Sequence, residues 1–284
     1  MRSAKSTLKK IKGDASFRSF YRKTDNKKNS IIVYAKKEKE KNLLIYDAIN
    51  SLLIENKINL YKKAIDLLSK IQKIKQKKIK NFNGKNYKIP IYESNKLFKE
   101  TKLFSNWYAK KYISKKKLSL LNIEINIQIK FLLSNIKLKN DTLVHRDFHV
   151  SNLMKYKKEV AIIDTQDALI GNRVYDLASL IDDVRFKSNQ KLKDTIYNYY
   201  LKLNKKKINK DIFLNDFEIL SVIRNMKIIG VFSRLAVRDK KKKYLKLIPY
   251  AWKLIELRIK NNQIFNGLKR TLDLNFSKKI RNLK

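Results

Sequence analysis

Three short apolar runs separated by one polar loop and one lysine turn constrain this chain more than any other feature. The first, TLVH, ends on His145. The second, LMKYKK, follows the loop of LVHRDFHVSNLM, Leu143 to Met154. The third, EVAIID, ends on Asp164. Runs this short, rich in β-branched residues and bounded by polar clusters, read as strands, and Lys157-Lys158 reads as the turn of a small hairpin. The loop holds both histidines of the 284-residue chain. Elsewhere the chain has only five Gly and two Pro, too few for an all-β fold, which spends both on turns, so the remainder is expected to be mostly helical.

The helical periodicity agrees. Apolar residues recur at helical spacing over 41–57, 60–76, 94–113, 117–136, 175–185, 189–204, 212–238 and 243–263. Residues 13–35 read as extended. Aromatic and polar residues alternate from Ser16 to Tyr21, a turn follows from Thr24 to Asn29, and SIIVYA makes a neighbouring strand. Asn83-Gly84 reads as a loop, Ile89-Pro90 as an extended entry, and Lys205–Lys207 as a basic loop. The aromatics of 94–113 are expected in the core.

The formal net charge is +43. Such a charge attracts phosphates without specificity. The excess is carried by Lys, beside abundant Ile and Asn, and is spread along the whole chain, as a codon bias would leave it. No RNP-type aromatic pattern, zinc-ligand set or basic zipper accompanies it, so no specific nucleic-acid partner is expected. The chain has no cysteine, which excludes disulfides and thiolate metal sites. No apolar run reaches the ~20 residues of a membrane span, and MRSAKSTLKKIKGD lacks the apolar region of a secretory signal. A cytoplasmic protein is expected.

The loop itself carries the chemistry. His145-Arg146-Asp147, four residues, then Asn152, has the H-R-D-x-x-x-x-N spacing of phosphotransferases, and Asp164 stands at a strand end twelve residues on. Phosphoryl transfer needs one carboxylate at the acceptor hydroxyl, and an amide oxygen and a second carboxylate to hold Mg²⁺ against the nucleotide phosphates. Asp147 is the candidate base, and Asn152 and Asp164 are the candidate metal ligands.

HRDFHVSNL followed by IDTQDALIGNRVYDLASLIDDVR resembles the aminoglycoside phosphotransferase and choline kinase superfamily. It is most similar to bacterial kinases of the anomeric hydroxyl of N-acetylmuramate and N-acetylglucosamine. The resemblance rests on Asp164, Gln166, Asp167, Ala168, Gly171, Tyr175, Asp176, Leu177, Ser179, Leu180, Asp183 and Arg185, with Thr165 where the family has Phe. GDASFRSFYR and KIIGVFSRLAVRDKKKKYLKLIPYAW agree with it.

The resemblance implies an α+β, protein-kinase-like, two-lobed fold: a nucleotide-binding lobe over 1–58 and a helical catalytic lobe over 59–284. It implies ATP and Mg²⁺ as cofactors and a small sugar of cell-wall recycling as partner. It also implies a phosphate-covering turn at Gly13, Asp14, Ala15 and Ser16. His149, Gln166, Asp167, Asp183 and Arg185 fall on the acceptor side, and Asp176 is expected to anchor the catalytic loop.

One departure stands out. The helix ending near Ile58 runs straight into another beginning near Leu60, where the resembling kinases insert two strands and a hinge for adenine. The first lobe is therefore read as shortened, at the junction Lys57-Ile58-Asn59-Leu60. Three readings follow: an active sugar kinase, a kinase for an aminoglycoside or amino alcohol, and a catalytically impaired deletion product or pseudokinase.

Overall fold

The computed structural model describes residues 7–11, 19–25, 28–34, 59–81, 83–156, 159–204 and 208–283. The chain divides into two compact units, Met1–Lys57 and Ile58–Lys284. The architecture is α+β, with small antiparallel sheets and a mostly helical second unit.

In the first unit, β1 (Thr7–Ile11), β2 (Ser19–Asp25) and β3 (Lys28–Tyr34) form one antiparallel sheet in chain order. Phe20 faces Val33 and Tyr21 faces Ile32 across the β2–β3 pair. The expected hairpin is present, with strands reaching Asp25 and Lys28 rather than stopping at Thr24 and Asn29. Strand β1 was not expected, because the two lysines at the centre of TLKKI hide its alternation. The expected phosphate turn at Gly13–Ser16, the helix over 41–57 and the Lys57-Ile58 half of the junction lie outside the described residues.

The second unit opens on a helix over 59–71 (α1), which buries Tyr61, Ala64, Ile65 and Leu68 at helical spacing. It stops short of the expected residue 76, because KIKQKKIKN offers no further apolar face. The loop expected at Asn83-Gly84 is present as the tip of a hairpin that was not expected, β4 (Lys78–Lys80) with β5 (Asn86–Lys88). Gly84 takes φ 72° at its tip, and the Asn81 side chain accepts from the backbone N–H groups of Asn83 and Lys85.

Helix α2 (Ser94–Thr101) continues through a π-helical turn at Phe104–Ala109 into α3 (Lys110–Tyr112), so the stretch expected as one helix is interrupted. The long α7 (Lys210–Val237) crosses at that point, and its Gly230 lies against the backbone of Leu103 and Phe104. Of the aromatics in this stretch, Phe104 and Tyr108 enter the core as expected, whereas Phe98 and Trp107 are only partly buried. Phe104 and Tyr108 pack with Trp252 and Phe276, and the Trp252 indole N–H donates to the Tyr108 hydroxyl at 2.9 Å.

Helix α4 (Lys115–Ser134) leads into β6 (Asn140–Val144), which pairs with β9 (Leu169–Asn172). Between them lies the expected hairpin, β7 (Leu153–Tyr156) with β8 (Glu159–Ile162). Strand β9 was not expected. Its LIGN is too short to show a period, and its pairing with β6 is long-range. Fully buried α5 (Val174–Ile181) follows, then α6 (Gln190–Leu203) and α7. The stretch expected as a helix over 243–263 splits into a 3₁₀ turn at Lys242–Leu247 and α8 (Ile248–Ile259), with Pro249 in the first turn, where its missing N–H costs no helical bond. α9 (Asn266–Asn275) and α10 (Lys278–Arg281) end the fold. Among the described residues no helix is long and apolar enough to cross a membrane.

A Cβ at position 230 would overlap the Leu103 and Phe104 backbone, which cannot yield without moving the π turn. Gly230→Ala is therefore expected to destabilise the fold by about 1–3 kcal/mol despite the better helix propensity of alanine. The urea midpoint measures it, and a neutral or stabilising outcome would show that the two helices separate freely.

Candidate functional site

Strand β6 delivers His145 into a sharp reversal. Arg146 adopts φ 75°, a left-handed conformation that non-glycine residues rarely take. Something must hold it, and that is Asp176, in the first turn of α5. One of its carboxylate oxygens accepts the backbone N–H of His145 at 2.7 Å, the other that of Arg146 at 2.9 Å. The role expected of Asp176 is the one observed. Burial raises its carboxyl to about pKa 6, against the opposing pull of those two N–H groups.

The same reversal orders the side chains. The Asp147 backbone N–H points at Nδ1 of His145 at 3.3 Å, which makes Nδ1 the acceptor and places the imidazole proton on Nε2. Nε2 then donates to the carbonyl of Ile163 at 3.0 Å. The Ile163 N–H returns to the carbonyl of Asn152 at 3.1 Å, and the Asn152 amide donates to the carbonyl of Asp147 at 3.0 Å. Asp147, Asn152 and the residue before Asp164 are thereby tied into one hydrogen-bonded ring.

Asp164 itself has φ 70° and an exposed carboxylate, one oxygen of which accepts from the Gln166 amide at 2.8 Å. Because the Asn152 nitrogen is used inward, its side-chain oxygen is the atom left for a ligand. An amide oxygen and an exposed carboxylate are hard donors that suit Mg²⁺, which takes only one or two carboxylates and relies on phosphate oxygens for the rest.

The acceptor-side residues divide. Asp183 is buried and committed: one oxygen accepts from Val150 N–H at 3.1 Å, the other from Arg185 N–H at 2.9 Å. The Arg185 guanidinium is partly exposed, 3.7 Å from Asp183 and 5.8 Å from the Phe232 ring. Asp167 presents an exposed carboxylate, while its carbonyl accepts from Arg146 at 3.3 Å. His149 is buried, and its Nδ1 has no hydrogen-bond partner among the described residues. Burial, and then the charges of Arg185 and Arg224, push its pKa down to about 4, so the ring is neutral at pH 7.

Sequence reasoning missed a second set of anchors. The Arg146 guanidinium pairs with Glu100 of α2 at 2.5 Å and lies 5.0 Å over the Tyr92 ring. Lys227 of α7 takes the other Glu100 oxygen at 2.7 Å, and the Tyr92 hydroxyl donates to that same oxygen. Burial acts to raise the Glu100 carboxyl, but Lys227 and then Tyr92 and Arg146 outweigh it and hold it below the usual range. The only available signal was an acid on a lysine-rich helix. Asp182, next to Asp183, is likewise pinned by Lys193, Arg258 and Ser221 at 2.5–3.0 Å.

Comparisons of the sequence with known proteins agree with one another. Residues 44–207 match the model of the phosphotransferase enzyme family. An N-acetylmuramate/N-acetylglucosamine kinase of Neisseria meningitidis is 32% identical over 170 residues, 57% of this chain and 50% of that protein. Its namesake from Pseudomonas putida is 26% identical over 208 residues, 72% of this chain and 58% of that protein. The matched stretches thus span little more than half of these relatives. Among solved structures, an ethanolamine kinase of Plasmodium vivax aligns with a TM-score of 0.46 at 13% identity, covering 89% of this chain and 82% of that one.

Two outcomes test the site's electrostatics. Glu100→Ala leaves Arg146 and Lys227 in a largely buried site without their carboxylate and is expected to cost about 3–5 kcal/mol by urea unfolding, with Glu100→Gln costing less. For His149, the unfolded ring binds a proton below pH 6.5 while the folded ring stays neutral down to about 4. The unfolded state binds more protons in that window, so stability falls as pH drops through it, by up to about 3 kcal/mol. His149→Gln should flatten this pH dependence. An unchanged slope would place the titrating group elsewhere.

Proposed function

The chain belongs to the phosphotransferase enzyme family, and from that premise we propose that it is a small-molecule kinase, moving the γ-phosphoryl group of ATP to a sugar hydroxyl. The observation that carries this reading is the ring of hydrogen bonds tying Asp147, Asn152 and the backbone before Asp164. Phosphoryl transfer is almost entirely positioning and charge stabilisation, so fixing the base relative to the metal ligands is most of the work.

In the proposed reaction Asp147 orients the acceptor hydroxyl and receives its proton as that oxygen bonds to the γ-phosphorus and the bond to the ADP oxygen breaks. His145 holds the two halves of the site together, its Nδ1 accepting from the Asp147 N–H and its Nε2 donating to the Ile163 carbonyl. Asp176 fixes the loop from beneath. Asn152 and Asp164 would hold Mg²⁺, which neutralises phosphate charge when bound. Asp183 positions Val150, and with it the loop carrying His149, while Gln166, Asp167 and Arg185 offer hydrogen bonds toward an acceptor.

The acceptor we favour is the anomeric hydroxyl of an N-acetylated amino sugar. The names of the Neisseria and Pseudomonas relatives support it, as do neutral and cationic groups beside the base. A cationic aminoglycoside fits less well beside Arg185 and Arg224, whose charges already depress His149.

The test is MgATP-dependent phosphorylation of N-acetylmuramate and N-acetylglucosamine by the purified chain. Wild type should give product, and Asp147→Asn should lower kcat about 10²–10⁴-fold with nucleotide binding retained. Absence of product despite MgATP binding would reject these acceptors, and absence of MgATP binding would reject the kinase reading.

A further inference from the structure

Arg224 of α7 is only 3% exposed, yet its Nη1 has no hydrogen-bond partner among the described residues, and its guanidinium forms no ion pair with them. An arginine in a protein interior keeps its charge, and a buried unpaired N–H forfeits the bonds it made to water. Among the described residues no carboxylate hydrogen-bonds or ion-pairs with it, although the charge of Asp176 lies within electrostatic reach. Both oxygens of Asp176 are taken by the backbone of His145 and Arg146. Both oxygens of Asp183 are taken by the backbone of Val150 and Arg185.

A second orphan lies within reach of the same charges. His149 Nδ1 is buried and unpartnered, and the fields of Arg224, Arg185, Asp183 and Asp147 all act on its ring. His149 therefore feels the candidate base, a buried guanidinium with no hydrogen-bond partner among the described residues, and the partly exposed guanidinium of Arg185.

We propose that Arg224, supported by Arg185, receives a carboxylate carried by the acceptor, so that the site prefers a sugar acid to the corresponding neutral sugar. The proposal rests on the kinase reading above and deepens it. Asp147 takes the hydroxyl, the carboxylate displaces solvent from the two guanidinium groups, and His149 hydrogen-bonds the sugar between them. Arginine suits this task because its planar fork can give a carboxylate two parallel bonds. Nucleotide phosphates are assigned to the Mg²⁺ that Asn152 and Asp164 would hold, so Arg224 should not contribute to nucleotide affinity.

N-acetylmuramate and N-acetylglucosamine share a ring and an anomeric hydroxyl and differ by a carboxylate-bearing ether, so the pair isolates the group in question. Their dissociation constants would be measured by titration calorimetry on the whole chain with MgADP present, for wild type, Arg224→Gln and Arg185→Gln, alongside AMP-PNP affinity. The wild type is expected to bind the acid at least tenfold more tightly than the neutral sugar. Arg224→Gln should abolish that ratio while leaving N-acetylglucosamine and AMP-PNP affinities unchanged, and Arg185→Gln should reduce it.

Equal affinity for the two sugars in the wild type, or an undiminished ratio in Arg224→Gln, would overturn the proposal while turnover of either sugar kept the kinase reading. A loss of AMP-PNP affinity in Arg224→Gln would overturn it in favour of a phosphate contact. Failure of the wild type to bind either sugar, with AMP-PNP binding intact, would overturn the proposal and these acceptors while leaving the kinase reading in place. If Arg224→Gln does not fold, the wild-type ratio and Arg185→Gln still decide.

Discussion

A single buried carboxylate holds the candidate site in place. Asp176 sits in the first turn of a helix that is buried on every side and accepts the two consecutive N–H groups of His145 and Arg146. Those groups belong to a backbone reversal that a non-glycine residue adopts only under constraint, with Arg146 at φ 75°. The carboxylate supplies the constraint. Burial disfavours its charge, two directed N–H bonds restore part of it, and the residue that bends is fixed from below. From that bend the side chains of Asp147 and His145 take their directions, and through His145 the strand end bearing Asp164 is joined to the loop.

Helix α7 is the second support. Asp216 accepts the backbone N–H groups of Lys137 and Leu138 ahead of β6, and the Asn172 side chain at the end of β9. Lys227 closes on Glu100, which holds the Arg146 side chain. Gly230 lets the π turn approach. One helix therefore fixes the ladder that carries the loop, the guanidinium beside the loop and the helices around it. The packing is close enough that a methyl group has no room.

Acids and bases divide unequally in this chain. It has 25 acidic residues against 68 basic ones. Several of the acids are buried with named partners: Asp176 and Asp183 on backbone N–H groups, Asp182 on Lys193 and Arg258, Asp216 on the β6 entry. Most of the described lysines are solvated. A buried carboxylate that accepts directed N–H bonds fixes geometry, whereas an exposed lysine is screened and contributes little. The large net charge therefore says little about the fold, and the scarce acids say much.

The sequence by itself determined the H-R-D-x-x-x-x-N spacing, the hairpin between Asn152 and Asp164 and the helical character of the rest, because these depend on local spacing and on residue chemistry read along the chain, while the anchoring role of Asp176, a contact spanning some thirty residues, was legible only through the family resemblance. The helix ends were legible only roughly. The β4–β5 hairpin was signalled by Asn83-Gly84 and hidden by the lysines around it. Tertiary structure alone decided that LIGN is a strand, since four residues have no period until β6 pairs with them. It alone brought Tyr92 and Glu100 to Arg146 and Lys227 of α7 to Glu100, and left Arg224 buried without a hydrogen-bond partner among the described residues. Those facts depend on contacts between residues dozens of positions apart, and charge and burial at such a contact are properties of the packed neighbours rather than of the residue.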